Sequence, residues 1–240
     1  ALPLSRDRLR VAYARLQYDS IDGGSLRGAG GYSAIEPKAA FAASLEVRQG
    51  VSVFGASPGC GPTFANCTGP GFVPPARLDA DPTAFLVRAE ARLDVRPHPL
   101  LAISFQPRAQ WTPDALYSYE QFSGGNYTVG RGYDPGATIG DSGIGAKLEL
   151  AYGSLGPRTP NSVALQPYAF FDLMATGTKN LAGDPRTITS VGGGLRAMLG
   201  QRAYLDVTGA VPLERGPFQA NRGDVRLLAN LTIQLAPWRR

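Results

Sequence analysis

The chain has 240 residues, 43% hydrophobic and only 18% charged, with 30 glycines and 20 prolines, which excludes a disordered tail and argues against long helices. One histidine and two cysteines exclude a histidine-rich metal site and a multi-disulfide scaffold. A net charge of +5 permits an anionic partner without demanding one.

No stretch approaches the roughly 20 apolar residues of a membrane-spanning helix. The chain opens at Ala1 with neither a basic n-region nor an apolar h-region, so it reads as a processed protein or a fragment. The strongest signal is alternation with period 2, the mark of strands with two unlike faces. It predicts nine strands, near 8–19, 38–51, 83–96, 100–112, 143–153, 162–176, 187–199, 202–213 and 224–236.

The first predicted strand is the least clean, because Arg15 and Gln17 fall on its otherwise apolar face. After the second comes a Gly/Pro-rich loop holding Cys60 and Cys67. Their spacing fails a CxxC redox or zinc reading but suits a small disulfide ring, with two unpaired thiols as the alternative. In the third strand, Phe85, Val87, Ala89, Ala91, Leu93 and Val95 oppose Leu86, Arg88, Glu90, Arg92 and Asp94. In the fourth, Leu101, Ile103, Phe105, Ala109 and Trp111 oppose Ala102, Ser104, Gln106, Arg108 and Gln110. Beyond the loop 113–142, Ile144, Ala146, Leu148, Leu150 and Tyr152 oppose Gly145, Lys147, Glu149 and Ala151. The last strand sets Val225, Leu227, Ala229, Leu231, Ile233 and Leu235 against Arg226, Leu228, Asn230, Thr232 and Gln234.

These segments are mostly about 10–14 residues long, against about 5–6 for strands of soluble proteins and about 9–11 for tilted membrane-spanning ones. Short turns (96–100, 199–203) alternate with long links near 20–37, 52–82, 113–142 and 177–186. Aromatic residues stand near strand ends (Trp111, Tyr152, Tyr204, Trp238), as in an interfacial girdle, and charges of both signs occupy the middle of the polar faces. The expectation is an all-β fold, an antiparallel transmembrane β-barrel, over a soluble β-sandwich, which also alternates. Nine is an odd count where single-chain bacterial barrels have even ones, so either the count is off by one or this chain is part of a larger barrel, and the second is the expectation.

The loop 113–142 carries glycines at 124, 125, 130, 132, 136 and 140, with Arg131 between two of them. An arginine so placed suggests a hairpin that inserts its guanidinium somewhere specific. Glu120-Gln121-Phe122, Gly124-Gly125, Val129, Arg131-Gly132-Tyr133, Gly140-Asp141, Gly143 and Glu149-Leu150 resemble the motif of the two-partner-secretion transporters, or haemolysin-activator outer-membrane proteins, of the outer-membrane insertase superfamily. Gly130 is one residue more than that motif has between its valine and arginine.

The resemblance implies that 113–142 is an extracellular loop folded back into the lumen. It also implies that Arg131 pairs with the aspartate of an F-x-D pattern two strands on, here Phe170 and Asp172. With five strands after the loop, it implies residues 1–240 are the C-terminal part of a sixteen-stranded barrel, without its first strands and periplasmic POTRA domains. The function implied is passage of an unfolded, secreted client polypeptide across the bacterial outer membrane, with no chemistry and no cofactor. Arg88, Arg92, Arg108, Glu149 and Arg196 would line the lumen path. The partners implied are the client, outer-membrane lipid, and the missing strands or partner subunits. An assembly factor that inserts other barrels, a diffusion pore and the anchoring barrel of a surface enzyme are the alternatives.

Other patterns carry less. Gly140-Asp141-Ser142-Gly143 looks like a serine-protease nucleophile segment, but His98 lies between Pro97 and Pro99 in a turn at the opposite end of the strands. Gly192-Gly193-Gly194 sits inside a strand with no following helix, unlike a phosphate loop. The basic residues form no stripe, so nucleic acid is not an expected partner. Asn66-Cys67-Thr68 and Asn126-Tyr127-Thr128 are glycosylation sequons by pattern only.

Overall fold

The computed structural model describes residues 4–126, 128–156, 159, 162–180, 186–200, 202–216 and 221–235. All nine predicted strands are present: β1 (Val11–Ile21), β2 (Ala39–Gly50), β3 (Phe85–His98), β4 (Leu101–Trp111), β7 (Ser142–Tyr152), β8 (Val163–Gly177), β9 (Arg186–Leu199), β10 (Ala203–Pro212) and β11 (Arg226–Ile233). They pair in one antiparallel sheet in the order β1-β2-β3-β4-β7-β8-β9-β10-β11. Among the described residues the sheet is open, with β1 and β11 as its edges. Two short strands, β5 (Phe122–Gly124) and β6 (Thr138–Gly140), form a separate hairpin inside the segment read from sequence as irregular loop.

The alternation sorts side chains as the pleat requires. Along β8, Gln166, Tyr168, Phe170, Asp172, Met174 and Thr176 are buried, while Val163, Leu165, Phe171 and Leu173 are exposed. The same parity runs across the sheet, so the row Phe105, Leu148 and Phe171 points away from the row Gln106, Lys147 and Asp172. The apolar face is therefore the exposed one, and the polar face is covered along β8 while Glu90 and Arg92 of β3 stay open on it. That inverts the order of a water-soluble sandwich, whose apolar faces pack together.

β1 fits this scheme once its polarity is reversed. Arg15 hydrogen-bonds Glu46 of β2, so Arg15 and Gln17 lie on the polar inner face, and Leu16 and Tyr18 on the apolar outer one. The face expected to be the apolar one is thus the inner one, because Val11 and Tyr13 share it with the two polar residues. Arg48 stacks over Tyr13 there, 5.8 Å from the ring centroid.

The turns 98–101 and 199–203 join strands at one end of the sheet, and the segments 51–84, 112–141 and 178–185 join them at the other. The link 22–38 lies at the short-turn end, contrary to the expectation that grouped it with the long loops. It packs there against the neighbouring turns: Glu36 accepts from Arg96 Nη2 at 3.0 Å and from the Leu155 amide at 2.9 Å. Of the four aromatic residues expected at strand ends, Trp111 and Tyr152 are exposed on the outer face, at opposite ends. Tyr204 instead faces inward, its hydroxyl beside Asp206, and Trp238 lies outside the described residues.

Candidate functional site

The segment 112–141 leaves β4, crosses the inner face of the sheet and returns to β7. Its stem starts at the fully buried Thr112, whose hydroxyl donates to the Phe85 carbonyl (2.6 Å). Leu116 and Tyr117 follow, both buried. In the β5–β6 hairpin, Phe122 faces Gly140 and Gly124 faces Thr138, and Thr138 Oγ1 lies 2.7 Å from Thr176 Oγ1 on β8. Phe122, Val129 and Tyr133 pack on the inward Met174 and Ile188 of β8 and β9, giving the segment a small apolar seat. Tyr133 Oη accepts from the Glu214 amide at 3.1 Å and reaches the Thr189 carbonyl at 2.9 Å.

Two glycines set the tip against the wall. Gly130 has φ +95°, where an L side chain is strained, so the residue that departs from the family motif serves the turn into Arg131. At Gly132 a Cβ would fall 2.9 Å from Ser190 Cβ and 2.8 Å from the Pro212 nitrogen, so only glycine allows that approach.

Arg131 is 9% exposed and Asp172 is fully buried. Nη2 donates to Asp172 Oδ1 (2.8 Å) and Nε to Oδ2 (3.0 Å), a bidentate pair. The Gly130 and Arg131 amides also donate to Oδ2, at 3.2 and 3.0 Å. The third arm of the guanidinium, Nη1, bonds Glu149 Oε2 of β7 at 3.0 Å. Beneath it lies the Phe170 ring, its centroid 3.5 Å from Cζ.

The ion network continues past the loop. Glu149 Oε1 accepts from Arg196 Nη1 at 2.5 Å, Arg196 Nε reaches Asp206 at 3.3 Å, and the guanidinium lies over Tyr168. Glu149 and Arg196, read from sequence as path-lining residues, therefore belong to the same network as the loop arginine. Gly192 and Gly194, on the inner face of β9, leave space for the Phe170 and Tyr168 rings to lie flat. That is a structural use for the triple glycine.

Two further ionic contacts hold the loop, and neither was read from the sequence. Glu120 accepts from Arg48 Nη2 (2.6 Å) on β2 and from Arg88 Nη2 (2.9 Å) on β3. Asp141, fully buried, accepts on Oδ1 from the Leu116 amide (3.0 Å), Gln121 Nε2 (2.9 Å) and Arg77 Nη1 (2.6 Å), and on Oδ2 from the Lys179 amide (2.7 Å). Arg77 also binds Asp79. Burial raises the Asp79 carboxyl, but Arg77 and Asn180 outweigh it and hold the carboxyl below its ordinary value. Burial lowers Arg77, and Asp79 and Asp141 reverse that and hold it above. Nearby, burial together with the charges of Asp7 and Glu120 pushes the Tyr119 phenol up to about 12. These partners are distant in sequence and lie in elements whose packing no local pattern encodes; charge alternation marked only Arg88.

The remaining expected residues are less tied. Arg92 bonds Asp94, its strand neighbour on the same face, at 2.5 Å. Arg108 stands 3.9 Å from Glu90 and 4.6 Å from the Phe122 centroid, and its Nε has no hydrogen-bond partner among the described residues. Between the loop and the short-turn end a hollow of about 690 Å³ opens, lined by Arg92, Gln106, Lys147, Glu149 and Arg196 among others. Cys60 and Cys67 form a disulfide within the loop 51–84. Ser142 exchanges hydrogen bonds with the Thr112 backbone, and His98 lies at the other end of the sheet, so no serine–histidine pair forms. Among the described residues no group of three or more His, Cys, Asp or Glu is placed to hold a metal ion.

The chain is similar to known proteins in sequence pattern and in fold. The sequence pattern of the haemolysin secretion/activation proteins ShlB/FhaC/HecB matches residues 10–197. Among solved structures, CdiB from Escherichia coli superposes with a TM-score of 0.70 at 16% identity, over 97% of this chain and 38% of that one. CdiB from Acinetobacter baumannii superposes with a TM-score of 0.60 at 18% identity, over 92% of this chain and 32% of that one. At these identities the likeness concerns the fold, and the chain spans 38% or less of the solved proteins it resembles. No curated protein matches the sequence. The family match takes in β1 to β8, most of β9, the glycine-rich loop and the wall residues beneath it, and the chain belongs to the ShlB/FhaC/HecB family of haemolysin secretion/activation proteins of the bacterial outer membrane.

Proposed function

We propose that this chain supplies nine strands of a closed sixteen-stranded barrel that passes an unfolded, secreted client polypeptide across the outer membrane, making and breaking no bond in it. In this reading 113–142 is the lumen plug, anchored by Arg131 on Asp172 and Phe170. Arg88, Arg92, Arg108, Glu149 and Arg196 stand on the wetted wall, and the remaining strands and the client-docking POTRA domains lie elsewhere in the parent protein. The observation that carries the reading is the seat of Arg131. Asp172 is buried on a strand wall, and its carboxylate is matched by a guanidinium and two amides from one glycine-bounded turn.

A plug held chiefly by ions and hydrogen bonds, over a small apolar cluster, can leave into a wet lumen because water re-solvates what it uncovers. A plug seated on a large apolar core could not do so as cheaply. Removing one partner of such a buried pair costs about 3–5 kcal/mol. Arg131→Ala in the full-length transporter should therefore unseat the loop and reduce client secretion at least about tenfold. The variant should still insert, as judged by a heat-modifiable band on electrophoresis. Parental secretion from a stably inserted variant overturns the reading.

A further inference from the structure

Arg77 lies outside the sheet, in the disulfide-stapled loop 51–84, yet its side chain is only 15% exposed and its bonding is saturated. Nε and Nη2 donate to the two oxygens of Asp79 at 2.7 and 3.0 Å. Nη1 donates to the Leu116 carbonyl (3.1 Å) and to Asp141 Oδ1 (2.6 Å), and Nη2 donates to the Lys179 carbonyl (3.0 Å). All five N–H groups of the guanidinium thus have acceptors. Those acceptors come from four places: its own loop, the outgoing stem of 112–141, the returning stem, and the segment after β8. The Asp81 amide adds a bond to the Ala115 carbonyl at 2.8 Å, so the two loops also meet through backbone.

We infer that Arg77 is a positioning residue for the lumen loop: it clasps the loop's two stems together at the loop end and thereby aims the tip at its seat on Asp172. This rests on the reading of 113–142 as a lumen plug. Asp141 is fully buried, and its Oδ1 takes bonds from both Leu116 and Arg77, so one carboxylate and one guanidinium fix where the loop leaves β4 and where it re-enters β7. With both stems fixed, loop movement is confined to the segment beyond the β5–β6 hairpin, residues 125–137. Lysine cannot replace the clasp, since three donors on one nitrogen cannot reach acceptors spread around a planar fork.

The test places a reporter thiol on the tip, Thr128→Cys, in the full-length transporter in outer-membrane vesicles, and reads its rate of modification by a polar maleimide. Adding Arg77→Ala should raise the rate about tenfold or more, the scale of lost charge-assisted hydrogen bonds. Arg77→Lys should fall between that variant and the parent, and the heat-modifiable band should stay unchanged. Where Arg77→Ala is not recovered in the membrane, Arg77→Gln carries the same comparison. Arg131→Ala serves as the reference for a freed tip. Fast labelling in Arg131→Ala beside parental labelling in the Arg77 variants overturns the clasp and leaves the plug standing. Parental labelling in Arg131→Ala overturns the plug reading and the clasp with it.

Discussion

Gly192 and Gly194 show how residues without a side chain shape the anchor. Both face inward, and a Cβ on Gly192 would fall 2.6 Å from Phe170 Cζ and 2.1 Å from the Gly209 carbonyl oxygen. The absent side chains let the Phe170 and Tyr168 rings lie against the wall, where each offers a face to a guanidinium, Arg131 or Arg196. Gly192→Ala should therefore displace Phe170 and cost roughly 1–3 kcal/mol, as overpacking does. Urea unfolding of the full-length barrel in lipid vesicles measures that cost; an unchanged midpoint would mean the wall yields without loss. Sequence disclosed one half of this site. Arg131 and Asp172 were readable because the family resemblance names both, one in the loop motif and one in the F-x-D pattern. Glu120 with Arg48, and Asp141 with Arg77, were not: each pair joins residues more than sixty positions apart. A charge on a strand says which face it occupies, not which loop comes to meet it.

Ion clusters at both ends of the loop hold it in complementary senses. At the tip a loop cation enters a pair of wall carboxylates, Asp172 and Glu149. Toward the stem a loop carboxylate, Glu120, meets wall cations Arg48 and Arg88. The loop is thereby held across the inner face from β2–β3 to β8, and a shift in either direction separates one set of charges. The stem clasp has a pH dependence whose sign is set by Asp79. Its folded-state pKa lies below its ordinary value of about 3.9, so its pairing contributes in full above that value and is lost as pH falls through the folded one. From pH 5 to 8 the loop 51–84 should resist proteolysis uniformly, and below about pH 4 pepsin should begin to cleave it. Asp79→Asn should be cleaved readily at higher pH as well; equal resistance in the variant would show that the carboxylate does not hold the loop. Strands were legible as elements because each is long enough for several repeats of the alternation. The β5–β6 hairpin, three residues a side, is too short to show a period. For β1 the period was legible and its polarity was not, since an inward Tyr13 and an outward Leu16 look alike to a hydrophobicity pattern.

At the scale of the whole molecule, the decisive feature is that the apolar face is the bare one. Ile144, Leu148 and Leu150 of β7 stand beside Phe171 and Leu173 of β8, all exposed, and together with their neighbours on β2–β4 they make a continuous apolar surface. Soluble monomers rarely expose apolar patches beyond a few hundred Å², so such a surface needs a cover, and for an outer-membrane protein the cover is lipid. The two remaining outward girdle residues agree with that depth profile, since Trp111 and Tyr152 end their strands on opposite sides of the apolar band. Lipid cover and cover by a second protein layer make different demands along one strand. Lipid penalises a cation steeply at mid-depth and hardly at all near the head groups, whereas a protein layer has no such gradient. Leu148 is near the centre of β7 and Tyr152 is its last residue. Leu148→Arg should thus cost about 2–4 kcal/mol and Tyr152→Arg about 0–1 kcal/mol, read from unfolding of the full-length barrel in lipid vesicles. Equal costs at the two positions would rule out a bilayer along this face and return the sheet to a protein-covered architecture, with the inner loop then needing a different purpose.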